Sequence, residues 1–239
     1  MTNVKITRKQ SILDYARNNR RIGFAQLVSD LSLNPNTTRQ YLSILTKDKK
    51  LIRVGNGEYM LPNKRIFMYI PAKNIEKIHN GLKKDLPFTD FCIYDGSIFT
   101  PLQHHVAVNH AIYVETNRDA VDTVFSRLKN LQKIVYKEPD ANVMYNYVDL
   151  RKPCIIVKSF VTESPVNKIN GMRVPTLEKL LVDIQKDDDL DYMRGIESLY
   201  MFQTAIDQYV VNTSKMLRYA KRRGAYDKLH SLLEQAQHI

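Results

Sequence analysis

Two apolar stripes of identical spacing, separated by Asn34-Pro35, constrain this chain more than any other feature of its sequence. Phe24, Leu27, Val28 and Leu31 fall at i, i+3, i+4 and i+7, and so do Thr38, Tyr41, Leu42 and Leu45, so each set lines one face of a helix. Between them, Ser32-Leu33-Asn34-Pro35 ends the first helix and starts the second. The Asn34 side chain can accept the orphan backbone N–H groups of a helix start, and Pro35 fits the first helical position. A further helix over about residues 7–19 precedes the pair, opened by Thr7-x-x-Gln10 in capping-box form and carrying Ile12 and Ala16 on one stripe. Leu51 to Val54 and Glu58 to Leu61 flank Gly55-Asn56-Gly57, whose residues accept the positive φ angles of a tight hairpin. Three helices followed by a hairpin predict a winged helix-turn-helix over 1–65.

The charge follows the same boundary. Residues 1–65 hold 13 Lys/Arg and 4 Asp/Glu, whereas residues 66–239 hold 23 and 21, so nearly all of the net charge of +11 lies in the first quarter. That distribution points to a local module facing a polyanion. On the helix after Pro35, the side opposite the apolar stripe carries Asn36, Gln40, Ser43 and Lys47, flanked by Thr37 and Arg39. Asn and Gln pair bidentately with adenine, Arg pairs with guanine, and Ser, Thr and Lys serve bases or phosphates in the major groove. Lys49, Lys50, Arg53 and Asn56 of the hairpin region complete an expected interface with double-stranded DNA. Single-stranded RNA fits less well, because this face lacks the aromatic platforms on which unpaired bases stack. A membrane surface would favour bulky apolar residues opposite Lys and Arg.

Beyond a boundary near residue 70, the chain predicts an α/β body over 70–239, so the fold class is α+β. The extended run Ile66-Phe67-Met68-Tyr69-Ile70 leads into a weak helix over 72–86. Apolar runs at Phe91 to Tyr94, Ala111 to Val114, Lys133 to Tyr136 and Cys154 to Val157 predict a mixed sheet within about 87–175. Val121, Val124, Phe125 and Leu128 mark a crossover helix. From about 176 to 238 helical spacings dominate, with a final pair divided by Gly224.

Catalytic chemistry is sparse. Tyr94-Asp95-Gly96-Ser97 has the Gly-Ser of a nucleotidyltransferase but no following Asp-x-Asp to hold magnesium, which favours a hairpin turn. Pro139-Asp140 opens like a metal-dependent nuclease motif but lacks a following Asp/Glu-x-Lys, and reads as a turn. His104, His105 and His110 are not completed as a ligand set by a nearby carboxylate or Cys. Asp187-Asp188-Asp189 with Asp191 reads as a solvated loop. No P-loop or Gly-x-Gly-x-x-Gly is present. The expectation is a non-enzymatic protein with no metal and no cofactor. Cys92 and Cys154 form no C-x-x-C pair and read as buried thiols of a reducing compartment, and no apolar run approaches the ~18 residues of a spanning helix. The cytoplasm is the default location.

One basic stretch stands apart: Lys215, Arg218 and Arg222 share a helical face that could dock an acidic partner or a phosphate. The whole layout, with its Val174-Pro175-Thr176-Leu177-Glu178-Lys179-Leu180-Leu181-Val182-Asp183-Ile184 segment and the terminal helices around Tyr219 to Gly224 and Leu229 to Glu234, resembles the AbiEi-type antitoxins of type IV toxin–antitoxin systems. The resemblance implies a bacterial repressor that binds its own promoter region and counteracts a cognate nucleotidyltransferase toxin of the AbiEii type. It transfers no site residues. Two alternatives from the residues themselves are a one-component regulator whose sheet domain binds a small effector, and a metal-dependent nuclease.

Overall fold

A computed structural model describes residues 8–19, 21–48, 50–62, 64–131 and 134–237. Thr7, Lys49 and Lys133, on which an expected cap, a hairpin cation and the start of one strand fall, lie outside the described residues. The chain is mixed α/β with two sheets and divides into two compact units, Met1–Ile66 with Asp207–Lys215, and Phe67–Ile206 with Met216–Ile239.

The first unit contains α1 (Arg8–Asn18), β1 (Ile22–Gly23), α2 (Phe24–Asp30), α3 (Pro35–Lys47), β2 (Ile52–Gly55) and β3 (Glu58–Met60). The cap predicted at Asn34 forms: its side chain accepts from the backbone N–H groups of Asn36 at 3.0 Å and Thr37 at 3.3 Å. Three strands make an antiparallel sheet in the order β1-β3-β2, and Gly57 closes the β2–β3 turn at φ 74°, a conformation that suits a residue without Cβ. Ile12, Ala16, Ile22, Leu27, Leu42, Leu45 and Leu51 form the core. Each of the larger side chains there contributes about 1.5–3 kcal/mol by leaving water. The segment 207–215 joins this unit through Arg65, whose N–H donates to Gln208 O at 2.8 Å and whose O accepts from Val210 N at 2.9 Å. Helical spacing alone places that segment in the body, within about 176–238, whereas the fold groups it with the first unit.

The second unit contains α4 (Lys73–Asp85), β4 (Phe91–Asp95), β5 (Ala111–Thr116), α5 (Val121–Lys129), β6 (Val135–Lys137), α6 (Ala141–Tyr147), β7 (Cys154–Ser159), β8 (Val166–Ile169), β9 (Met172–Pro175), α7 (Leu177–Asp183), α8 (Ile196–Gln208), α9 (Thr213–Arg222) and α10 (Tyr226–Gln237), with α8 and α9 each giving a few residues to the first unit. Its six-stranded sheet runs β6-β7-β5-β4-β9-β8. β5, β7 and β6 are parallel, β4 runs antiparallel to β5 and parallel to β9, and β8–β9 is a hairpin.

Alternation along the strands gives this sheet two different faces. Phe91, Ile93, Val114, Ile155 and Val157 pack with Ile75 and Leu82 of α4 and with Val121, Val124 and Leu128 of α5. The other face presents Cys92, Tyr94, Tyr113, Glu115 and Lys158, and in the parallel register Glu115 stands directly beside Lys158. Several expectations need correction. Residues 66–70 form no strand, since Ile66, Met68 and Ile70 are exposed and only the adjoining Arg65 makes a bridge. Residues 96–99 are a 3-10 turn capped by Asp95, which accepts from Ser97 N at 3.0 Å, and not a hairpin. Asp140 caps α6 by accepting from Val143 N at 2.8 Å. Among the described residues no helix is long and apolar enough to cross a membrane.

Candidate functional site

The residues proposed to read DNA lie on α3 and the β2–β3 hairpin. Asn36, Arg39, Gln40, Ser43 and Lys47 are exposed and Thr37 is half-buried, while Thr38, Leu42 and Leu45 are buried on the opposite side. The exposed face is partly organised. The Arg39 guanidinium lies 4.9 Å from the centre of the Phe24 ring and donates to Asn36 Oδ1 at 3.1 Å. Stacking on a ring fixes the plane of the fork that recognises a base edge or phosphate. Ile44, at 38% exposure, adds one apolar contact to this polar face that the helical wheel did not include. On the hairpin, Lys50 and Asn56 are exposed, while Arg53 turns back so that its Nε donates to Gly55 O at 3.2 Å.

The cations on α9 are not equivalent. Arg218 is exposed and Lys215 half-buried, but Arg222 donates to Glu163 Oε2 at 2.6 Å, so the three do not stand ready together. Of the histidines, His105 meets Glu197 at 3.3 Å, a carboxylate supplied by a distant helix. Among the described residues no group of three or more His, Cys, Asp or Glu is placed to hold a metal ion. Cys92 and Cys154 are free and buried.

A buried charge network, a second candidate site, lies in the body, formed by residues that the sequence pattern did not bring together. Asp187-Asp188-Asp189 is no solvated loop: Asp187 and Asp189 keep only 12% and 6% side-chain exposure, and both accept from Lys158 Nζ, at 2.8 and 2.9 Å. Arg223, from the end of the basic stretch, also pairs with Asp187. Alongside, Lys179 is 2% exposed and donates to Glu115 at 2.7 Å and to Asp183 at 2.5 Å. Tyr94 donates to Glu115 at 2.9 Å, and Tyr219 to Asp183 at 2.8 Å. Charges buried this deeply persist only when paired and hydrogen-bonded.

The electrostatics follow from that burial. Burial alone would drive Lys158 and Lys179 toward neutrality, but the carboxylates against them hold both ammonium groups well above the usual lysine value. Asp187 also faces a burial penalty, yet Lys158 and Arg223 bring its carboxyl well below the usual range. Asp183 behaves differently: burial pushes it up to about 6 despite Lys179. Asp189 is likewise raised by burial.

This network lines one side of a cavity of about 340 Å³, whose wall also includes Glu138, Asp140 and Lys186. Glu138 is held at φ 41°, unusual for a residue with a side chain, and its carboxylate accepts from Ser159 N at 3.2 Å. The signals for this site were in the sequence as charged residues inside apolar strands, Glu115 in Ala111–Thr116 and Lys158 in Cys154–Ser159, and as the i, i+4 pair Lys179 and Asp183 in a helix otherwise apolar but for Glu178. No match is found among curated proteins. Residues 37–239 match the Family of unknown function (DUF6577), and the chain belongs to that family.

Proposed function

We propose that this protein is a DNA-binding transcriptional regulator whose first unit reads duplex DNA as a winged helix, with α3 in the major groove and the β2–β3 hairpin as the wing. The observation that carries the reading is the exposed polar face of α3, Asn36, Arg39, Gln40, Ser43 and Lys47, on a helix capped at Asn34 and seated by Leu42 and Leu45. Its side chains match the donors and acceptors of base edges, and the surrounding net charge of +9 over residues 1–65 supplies the phosphate attraction that positions such a helix. Arg39, already stacked on Phe24, meets a base with less ordering than a free arginine requires.

The resemblance to AbiEi-type antitoxins extends the proposal: autoregulation of its own operon in the bacterial cytoplasm, and opposition by the body to a nucleotidyltransferase toxin. A second reading, an effector-responsive regulator, is favoured by the charged cavity of the body. Both share the same DNA-reading surface, and neither assigns catalysis to the chain. Selection of bound duplexes from a random pool tests that surface. Arg39→Ala and Gln40→Ala should each cost about 1–3 kcal/mol at the selected site and relax the base preference at one position. Unchanged affinity and preference in both variants would refute the assignment of α3.

A further inference from the structure

Two exposed side chains of α3 are tied to each other. Arg39 Nη1 donates to Asn36 Oδ1 at 3.1 Å, so the Asn36 carbonyl faces the guanidinium and its Nδ2 group is the end left for a ligand. Together they present a block of hydrogen-bond donors: the remaining guanidinium N–H groups and the Asn36 amide N–H groups. An adenine N6 amino group brought to Oδ1 would stand beside the guanidinium, donor against donor. Guanine instead sets two acceptors, O6 and N7, side by side on its major-groove edge.

Arg39 is also held from behind. Its guanidinium lies 4.9 Å from the centre of the Phe24 ring. Phe24 packs against the core of the first unit, and its backbone N–H donates to Gly57 O at 2.7 Å in the β2–β3 turn. The turn runs close beside it: a Cβ on Gly57 would stand 3.6 Å from Phe24 Cβ. Core and hairpin therefore fix the ring, and the ring fixes the plane of the guanidinium, which a free arginine would have to order on binding.

We propose that Arg39 and Asn36 together read one guanine in the major groove, and that Phe24 is the positioning residue that holds Arg39 for it. This rests on the reading of α3 as a DNA-recognition helix and names the base that one part of that helix selects. Asn36 then serves a guanine and not the adenine that an unpaired asparagine would suit. Gln40, exposed on the same helix, lies outside this pair and serves a different base.

Duplexes selected from a random pool by the full chain, followed by equilibrium binding to base-substituted versions, test the proposal. At one position the wild type should prefer guanine over adenine by at least about fivefold. It should tolerate inosine there, which keeps O6 and N7, and lose affinity with 7-deazaguanine, which lacks the N7 acceptor. Phe24→Leu keeps an apolar side chain against the core but removes the ring, and should erase the preference at that position alone; Phe24→Tyr should retain it. A merely structural role for Phe24 would instead lower the melting temperature and the affinity for every duplex together. Should Phe24→Leu fail to fold, Phe24→Met, closer in volume, takes its place. Arg39→Lys, at an exposed position, keeps the charge without the planar fork and should erase the same preference. A uniform loss across all duplexes in Arg39→Lys, the mark of a phosphate contact, would overturn the proposal, as would a guanine preference unmoved by the folded Phe24 variant. A selected site without such a guanine, yet with a base preference that Gln40→Ala abolishes, would overturn this inference and leave α3 as the reader of DNA. A wild type that selects no sequence would overturn both.

Discussion

Replacing Lys179 by Met tests whether the buried charge network is a closed unit. Lys179 is 2% exposed and stands between Glu115 at 2.7 Å and Asp183 at 2.5 Å. Methionine preserves most of the side chain's volume, so the perturbation is loss of one charge and not a cavity. Two carboxylates then remain buried, where losing one partner of an ion pair costs about 3–5 kcal/mol. For a domain of this size, roughly 2–4 °C of Tm accompanies each kcal/mol, so the melting temperature should fall by at least about 6 °C. The exposed pair Lys137–Asp122 has a similar separation, 2.7 Å, but side-chain exposures of 44% and 81%, so Lys137→Ala should leave the melting temperature almost unchanged. A pH series adds a signature that generic damage would not produce. Without Lys179 the Asp183 carboxyl, already raised by burial, loses the ammonium that holds it down and takes up a proton in the folded state more readily than in the unfolded chain, so the deficit should shrink as pH falls from 7 to 5. Urea unfolding followed by circular dichroism measures both quantities. A deficit below about 1 kcal/mol, or one independent of pH, would refute the reasoning.

Three other predictions follow from separate contacts. Asn34→Ala removes the acceptor for two backbone N–H groups at the start of α3 and should destabilise the first unit by about 0.5–2 kcal/mol, measured by thermal unfolding. In the wild type, Asp183 binds its proton near pH 6 when folded and near 3.8 when unfolded, so its contribution to stability grows as pH falls through 6, by an amount on the order of 3 kcal/mol. The depressed Asp187 acts oppositely, and its stabilisation disappears as pH falls below the ordinary aspartate value. Denaturant midpoints should therefore peak near pH 4, and Asp183→Asn should flatten the slope between pH 7 and 5; a wild-type maximum at neutral pH would contradict this. Affinity for duplex DNA should also fall steeply with salt, since Lys47, Lys50 and neighbouring cations release counterions on binding.

What the sequence disclosed was what short-range rules govern. Asn34 and Pro35 start α3 through contacts within three residues, and Leu42 and Leu45 are placed by helical period alone. The central strands announced themselves as apolar runs, because a strand covered on both faces has little room for alternation. The β8–β9 hairpin escaped notice although Asn170-Gly171, with φ of 49° and 81°, is a strong turn signal. Val166–Ile169 is a short strand at the sheet edge with Asn167 and Lys168 exposed, so it lacks an apolar run. The buried network was the least legible part. Lys179 finds Glu115 across 64 positions and Arg223 finds Asp187 across 36, so no local pattern reveals that these charges meet. Reading Asp187-Asp188-Asp189 as solvated applied the usual fate of an acidic run, whereas Lys158 and Arg223 overrule it here.

The account rests on base reading by the exposed face of α3, and equilibrium binding to the chain's own upstream region measures that directly. In fluorescence anisotropy at about 150 mM salt, the full chain should prefer a fragment from that region over a scrambled duplex of equal length by ~10³-fold or more. Equal affinity for both, with Arg39→Ala and Gln40→Ala no different from wild type, would contradict it.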